Sequence, residues 1–217
     1  MKAHLGAFGL LDRQAGKYEA AKLYEGIDEK NLLDFEREWQ PAFVNRVPAT
    51  ASALERVAAN AEDAHWDWRR LAEIYANPLL FQMYVVECAG LTQGLMLVRK
   101  GGVFSRHPDH ERADLIHIER LSTAPWNRPG FVERPKYKGV GQLLFAAAVN
   151  LSLDEELGGR IGLHALPGAE GFYRDVLGLT DFGPNSQHHG LCYFELSQAQ
   201  AAAFLETPES TGARHDD

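Results

Sequence analysis

The sequence predicts an α/β fold built on a mixed sheet with helices packed against its faces. Three observations lead there. β-Forming residues fill 82–89 (QMYVVECA) and 93–99 (QGLMLVR) on either side of the turn Gly90-Leu91-Thr92, which reads as an antiparallel hairpin. A strand at 113–123, a long helix from Gly139 and a buried strand at 160–166 (RIGLHAL) form a strand–helix–strand unit, whose crossover joins parallel strands. Upstream, apolar residues recur at helical spacing almost to residue 76. Hairpin pairing beside a crossover unit implies a mixed sheet with helical layers.

The elements follow in order. Residues 4–11 read as a first strand and 18–24 as a short helix. Leu32, Phe35, Trp39 and Phe43 recur at helical spacing, with Pro41 bending or ending that element. A second helix spans 51–76, with Leu54, Val57, Ala58, Ala61, Trp68, Leu71, Ala72 and Tyr75 on one face and Asn77-Pro78 as its stop. The hairpin comes next. A charged loop at 105–112 precedes the strand at 113–123, and a proline-rich loop at 124–135 follows it. In the long helix, Val140, Leu143, Leu144, Ala147, Ala148 and Leu151 share one face, and Gly158-Gly159 end it. Residues 169–177 form a short helix closed by Gly178. Strands at 179–182 and 191–196 flank the loop 183–190, and 197–205 is a terminal helix. The polar, acidic residues after Thr207 are expected to be disordered. The chain thus divides into an N-terminal helical elaboration (1–78), a core (79–196), and a C-terminal helix with a disordered tail (197–217).

Composition bounds the function. At 217 residues the chain fits one domain, with or without an extension, and 45% hydrophobic and 24% charged residues are ordinary for a globular protein. A net charge of −8 argues against general nucleic-acid binding and mildly favours cationic small substrates. Cys88 and Cys192 lie in apolar strand-like runs and are expected to be buried free thiols. The opening MKAHLGAFGLL is too short and glycine-rich for a signal peptide, and no apolar run reaches membrane-spanning length. The expectation is a soluble cytoplasmic protein.

The most specific local feature is Lys136-Tyr137-Lys138-Gly139-Val140-Gly141-Gln142. Two glycines between cations and a helix start are suited to an anion, because first-turn amides lack partners and the helix dipole favours negative charge there. Without β-carbons, Gly139 and Gly141 let a phosphate approach the main chain. The third glycine of the dinucleotide fingerprint is missing, and so is the Gly-Lys-Ser/Thr of a Walker loop.

With these elements in this order, residues 80–196 resemble the GNAT superfamily of acyl-CoA-dependent N-acyltransferases. Lys136 to Gly141 are similar to the family's Arg/Gln-x-x-Gly-x-Gly/Ala pyrophosphate loop, with Lys in place of the usual first residue. The strands at 113–123 and 160–166 correspond to the family's splayed pair. Gly171-Phe172-Tyr173-Arg174 with Leu177-Gly178-Leu179 resembles its "FY…LGF" helix end. The resemblance implies a mostly antiparallel central sheet with one parallel, splayed strand pair and flanking helices. It departs at Leu166-Pro167-Gly168-Ala169, where many members carry an Asn that contacts the cofactor.

The resemblance further implies acetyl-CoA as co-substrate. The amides of Lys138, Gly139, Val140, Gly141 and Gln142 would hold its pyrophosphate, with Lys136, Tyr137 and Lys138 contributing around the loop. Main-chain groups of Leu121, Ser122 and Thr123 would pair with the pantetheine arm and steady the oxyanion. Tyr173 is the expected acid for the departing thiolate, since a phenol near pKa 10 matches its basicity. His117 and Glu119 stand two apart on one strand and project from one face if no bulge intervenes, so either could take the amine's proton, directly or through water. Glu119 would need its pKa raised by burial to act directly. No metal site is expected: His107 with His110, and His188 with His189, match no ligand spacing, although the last pair could line an acceptor pocket. Trp126 could cover the acyl chain or merely order its loop, while Trp66 and Trp68 read as core or interface. The expected activity is transfer of an acetyl group to a primary amine by direct attack. The acceptor would be a small molecule, with a protein or peptide amine and a homodimer left open. Two rivals are a non-catalytic acyl-CoA sensor or scaffold and a toxin-like acetyltransferase of aminoacyl-tRNA. The latter needs a basic rim of Arg128, Arg134, Lys136 and Lys138.

Overall fold

The structure, a computed structural model, describes residues 2–48 and 50–207. The disorder expected after Thr207 lies outside those residues. β1 (Ala3–Asp12) and β2 (Lys17–Glu25) form an opening hairpin. A helical stretch follows: α1 (Glu29–Asp34), a π turn (Phe35–Trp39) and α2 (Gln40–Arg46), then α3 (Ala53–Ala58) and α4 (Trp68–Ile74). β3 (Phe81–Cys88) and β4 (Leu91–Arg99) are the expected hairpin, with β5 (Ile116–Thr123) beside them. The two-residue β6 (Tyr137–Lys138) leads into α5 (Val140–Asp154), followed by β7 (Ile161–Ala165), β8 (Thr180–Asn185), β9 (Leu191–Leu196) and α6 (Gln198–Leu205). The strands form one sheet in the order β6-β1-β2-β3-β4-β5-β7-β9-β8. Every neighbouring pair is antiparallel except β5 and β7, which run parallel over Ile116–Ile118 and Ile161–Leu163.

The sheet is covered on both faces. On β4, Met96 and Val98 point into a cluster with α5 and α6, while Leu95 and Leu97 point into a second cluster with Phe35, Trp39 and Trp68. Burial on both sides explains why β4 is apolar throughout instead of alternating. Trp39 is fully buried and donates its indole N–H to the Thr92 carbonyl (3.1 Å), tying the helical layer to β4.

The N-terminal region departs from the expected helices. Residues 18–24 are strand, not helix: Ala21 and Leu23 face the core two apart, and Asp12 closes the preceding turn by accepting the Gln14 and Ala15 N–H groups, both at 2.8 Å. Pro41 does not end its helix. It falls at the start of the segment after the π turn, in which the Gln40 N–H reaches the Phe35 carbonyl. The helix expected over 51–76 is broken between Ala58 and Trp68, and Leu54, on its expected buried face, is 81% exposed. The break carries Asp63 inward to a buried bidentate pair with Arg128 (2.5 and 2.7 Å), and Asp67 caps α4 through the Arg70 N–H. Charge pairing in the interior has overridden helical continuity. Residues 167–176 are a 3₁₀ turn and a π turn rather than an α-helix. Cys88 and Cys192 are free thiols, of which only Cys88 is buried. Among the described residues no helix is long and apolar enough to cross a membrane.

The start of α5 rests directly on β4. A β-carbon at Gly94 would stand 2.7 Å from Val140 Cγ1 and 2.8 Å from Leu144 Cδ1. Gly94→Ala should therefore overpack this contact and lower stability by ~1–3 kcal/mol in urea denaturation, through displacement of the first turn of α5.

Candidate active site

Two cavities meet where β5 and β7 part. After Ile118 and Leu163 the two strands no longer pair. The Ala124 N–H points back to the Gln93 carbonyl of β4. Since antiparallel residues alternate their hydrogen-bonding side, the main-chain groups of Leu121 and Thr123 face the gap. The first cavity, about 470 Å³, runs from this gap to the start of α5 and is lined by Leu121, Ser122, Thr123, Lys138, Gly139, Val140, Gly141 and Gln142. The second, about 410 Å³, opens on the other side and is lined by His117, Glu119, Arg120, Trp66, His164, His188 and His189. Leu121, Leu166, Ala169 and Tyr173 border both.

The first cavity ends on a helix N-terminus. Gly139 caps α5 at φ +103°, a conformation that side chains disfavour, and its carbonyl accepts the Leu143 N–H (2.9 Å), the first bond of the helix. The earlier first-turn N–H groups have no acceptor inside the helix. Gly141 has a different reason to be glycine: a β-carbon there would come within 3.0 Å of the Phe172 ring. The loop is held from beneath. β6 pairs with Leu11 and Asp12 of β1, the Tyr137 N–H donates to Asn127 Oδ1 (3.0 Å), and the buried Tyr137 hydroxyl donates to Glu19 (2.8 Å). Tyr137 therefore anchors the loop with its side chain and offers the cavity only its main chain and edge.

The remaining expected cofactor residues sort by where their side chains go. Lys138 lines the cavity, while the Lys136 ammonium lies 4.9 Å over the Tyr137 ring, outside the lining. Ser122 turns away and donates its hydroxyl to Asp63 (2.5 Å). Arg128 pairs with Asp63 and donates to the Thr123 carbonyl (2.7 Å), so it is spent in the wall and adds nothing to a basic rim. Arg13 was not foreseen. It is exposed at this cavity, and its guanidinium pairs with no carboxylate among the described residues. In the segment that lacks the expected Asn, the Gly168 N–H donates to Glu62 (2.9 Å), another unforeseen lining residue.

In the second cavity a bulge does intervene. Leu97 pairs with Arg120 and Val98 with Ile118, leaving Glu119 as the extra residue of β5. His117 and Glu119 nevertheless share a face and meet at 3.2 Å. Beyond them lies a directed chain. The Gln187 N–H donates to Asn185 Oδ1 (3.1 Å), which leaves the Asn185 amide N–H₂ to donate to His164 Nε2 (3.0 Å). His164 then carries its proton on Nδ1 and donates to His117 Nε2 (3.3 Å), and His117 donates from Nδ1 to Glu119 Oε1. Both His117 nitrogens are engaged, while Glu119 Oε2 has no hydrogen bond among the described residues.

The electrostatics agree with this direction. Burial, with the nearby charges of His188, His117 and Arg106, pulls His164 down to about 4, so it is neutral near pH 7. Burial pushes Glu119 up, but the hydrogen bond from His117 and the charges of Arg120 and Arg99 outweigh it and hold the carboxyl below its ordinary range. Glu119 is thus an anion, opposite to the raised pKa a direct base would need. Burial and then the Asp63 charge push Tyr173 well above the usual phenol range, so it keeps its proton and loses the expected match to a thiolate's basicity. Its hydroxyl makes no hydrogen bond among the described residues and is not sealed from solvent.

Of the other rings singled out in the sequence, only Trp66 departs from its expected place. Trp126 lines neither cavity. It donates to Gln93 (2.9 Å) and packs edge-on against Trp39, so it orders its loop. Trp68 is core, but Trp66 walls the second cavity. His188 stacks on His164 at 3.7 Å between ring centroids. His164 itself was read only as part of a buried strand. The available signal was a histidine flanked by apolar residues on each parallel strand, Ile116-His117-Ile118 and Leu163-His164-Ala165. No group of three or more His, Cys, Asp or Glu among the described residues is arranged to hold a metal ion.

The His164 shift has a pH signature. The folded state holds it near 4 and the unfolded chain near 6.5, so between these values only the unfolded chain takes the proton. Its contribution to stability should be level above about pH 6.5 and fall as the pH drops towards 4. Denaturation midpoints across this range should flatten in His164→Gln. An unchanged slope would show that His164 is not held neutral.

No protein-family model and no curated protein matches the sequence significantly. Solved structures do match in fold. A yellow fever mosquito (Aedes aegypti) protein named arylalkylamine N-acetyltransferase 7 superposes with a TM-score of 0.53 at 11% identity, over 90% of this chain and 95% of that one. A protein of Desulfovibrio desulfuricans, assigned to the GNAT family of acetyltransferases, gives 0.50 at 11% identity, over 82% and 99%. FeeM, an N-acyl amino acid synthase from uncultured soil microbes, gives 0.51 at 11% identity, over 84% and 93%. The nine-stranded sheet with its single parallel pair and flanking helices is the fold of the GNAT acetyltransferases.

Proposed function

We propose that the protein is an acyl-CoA-dependent N-acyltransferase that moves an acetyl group from acetyl-CoA to the primary amine of a small molecule. One observation carries the reading. A cavity ending on the N-terminus of α5 shares Leu121, Leu166, Ala169 and Tyr173, at the gap between β5 and β7, with a second cavity holding the Glu119 carboxylate. The residues fit a CoA thioester. Amides at the start of α5 with Gly139 at φ +103° suit a pyrophosphate, Arg13 and Lys138 add positive charge, and the main chain of Leu121 with the Thr123 N–H suits the amides of a pantetheine arm. The thioester carbonyl would then lie at the shared border, with the amine arriving from the second cavity.

Each group has a defined task. Glu119 Oε2 attracts the ammonium and draws off its proton through one water, giving the free amine. The amine nitrogen attacks the thioester carbonyl, and the new C–N bond forms as the C–S bond breaks. As the tetrahedral intermediate collapses, the Tyr173 hydroxyl gives its proton to the departing thiolate, and the nitrogen's second proton passes to the Tyr173 oxygen so that the phenol is restored. Main-chain N–H groups of β5 in the gap are placed to steady the oxyanion. His117 positions Glu119 rather than acting as the base, since both its nitrogens are committed.

Calorimetric titration should show saturable CoA binding, weakened at least about tenfold by Gly139→Val in a variant that keeps the wild-type circular dichroism. Thiol release from acetyl-CoA with an amine panel should fall roughly 10²-fold in kcat for Glu119→Gln and less steeply for Tyr173→Phe, with CoA affinity retained. A wild-type protein with no affinity for CoA would overturn the reading. Tight CoA binding without thiol release for any amine would instead favour the non-catalytic sensor.

A further inference from the structure

We propose that the acceptor is an α-amino acid and that Arg120 is the residue that recognises its carboxylate. This rests on the acyltransferase reading above and names the substrate class of the second cavity. The argument begins with the β-bulge. In a regular strand, Glu119 and Arg120 would point to opposite faces of the sheet. The extra residue in β5 puts both into the second cavity, and the alternation resumes with Leu121 packing on the α5 side and Ser122 on the other. The bulge thus sets an anion and a cation side by side on neighbouring residues, whose Cα atoms are about 3.8 Å apart. That spacing suits a ligand whose amine and carboxylate are two bonds apart.

Arg120 is also prepared to bind. Its guanidinium lies 5.0 Å over the Trp66 ring, which fixes its plane without using its donors. Of its five N–H groups, one is spent on the Glu119 carbonyl (2.5 Å), and no carboxylate pairs with it among the described residues. Arg69, Arg128 and Arg174 contrast with it, each being held by a carboxylate. An arginine held flat on a ring with its fork open, at the wall of a cavity, matches a bidentate carboxylate partner.

The rest of the lining argues against other acceptors. Among the described residues Glu119 is the one carboxylate lining the second cavity, and the Arg120 guanidinium stands beside it. A polyamine or aminoglycoside would bring extra positive charges next to Arg120 with a single anion to meet them. The negative charge of the whole chain is therefore not the charge of this site. Beyond Glu119 and Arg120 the wall combines Leu163, Leu166 and Leu191 with the Trp66 ring and several imidazoles, among them the stacked His164 and His188, which suits an apolar or aromatic amino-acid side chain.

The test measures thiol release from acetyl-CoA with each of the twenty common amino acids. Phenylalanine, tryptophan and leucine are paired with 2-phenylethylamine, tryptamine and isopentylamine, and a lysine-containing peptide is added. At least one amino acid should exceed the decarboxylated amines and the peptide by about 30-fold or more in kcat/KM. Arg120→Ala should raise its KM roughly 10–100-fold with little change in kcat and bring the preference close to one, and Arg120→Lys should restore part of it. Equal or better use of a decarboxylated amine or of the peptide by the wild type would overturn the inference while leaving the acyltransferase intact, and so would an unchanged KM in Arg120→Ala. If no amine releases thiol, the acyltransferase reading fails separately. Saturation-transfer NMR of the same amino acids with the wild type and Arg120→Ala then decides the Arg120 site: binding lost in the variant supports it, and absence of binding to the wild type rejects it.

Discussion

β5 and β7 pair in parallel over three residues each and then separate, and the arrangement of the whole candidate site depends on that separation. A strand that loses its neighbour exposes main-chain donors and acceptors, which inside a protein must find other partners. Here the gap opens on a cavity at either side, and Tyr173, Leu121, Leu166 and Ala169 are the short border between them. Two features are placed to hold the gap. The bulge at Glu119 re-aims β5, and the buried Arg128 ties the Thr123 carbonyl, the Ser122 hydroxyl and Asp63 into one network on the far side of β5. Removing one member of such a pair leaves an uncompensated buried charge, so the network constrains where β5 can lie.

The polar groups around the gap are ordered by direction as well as by position. Asn185 has its amide orientation set by a backbone N–H, and that choice passes through His164 and His117 to end on the carboxylate of Glu119. A chain of donors all pointing one way delivers a fixed tautomer at each ring and an anion at its end. This explains why a half-buried glutamate stays ionised where burial alone would protonate it. It also separates two histidine roles that look alike from sequence: one that accepts a substrate proton, and one that holds the group that does.

Much of this was legible in the order of residues. The hairpin at 81–99, the crossover from β5 through α5 to β7, and the glycine loop opening α5 all carry strong local signals that tertiary structure had no reason to override. The losses have identifiable causes. β2 has only Ala21 and Leu23 as its inward pair, too short a run to tell period two from a helical turn. The break between α3 and α4 follows from a charge pair whose partners, Asp63 and Arg128, are 65 residues apart. Tyr137 and Gly141 stand in the motif as ligand-facing residues, yet one anchors to Glu19 and the other makes room for Phe172. Arg13 and Asn185 reach the site from a hairpin and a distant strand end, and nothing local to either residue indicates it. The bulge, finally, is invisible as a pattern, because Glu119 and Arg120 look like an ordinary alternating pair.

The central claim is that a CoA thioester lies along the first cavity with its reactive end at the parting of β5 and β7. Backbone amide NMR during titration with CoA tests this most directly. The account predicts shifts concentrated at residues 139–142 and 121–123, with smaller ones at Tyr173 and Arg13. Shifts that spare the start of α5 and the end of β5, or no shifts at all, would contradict it.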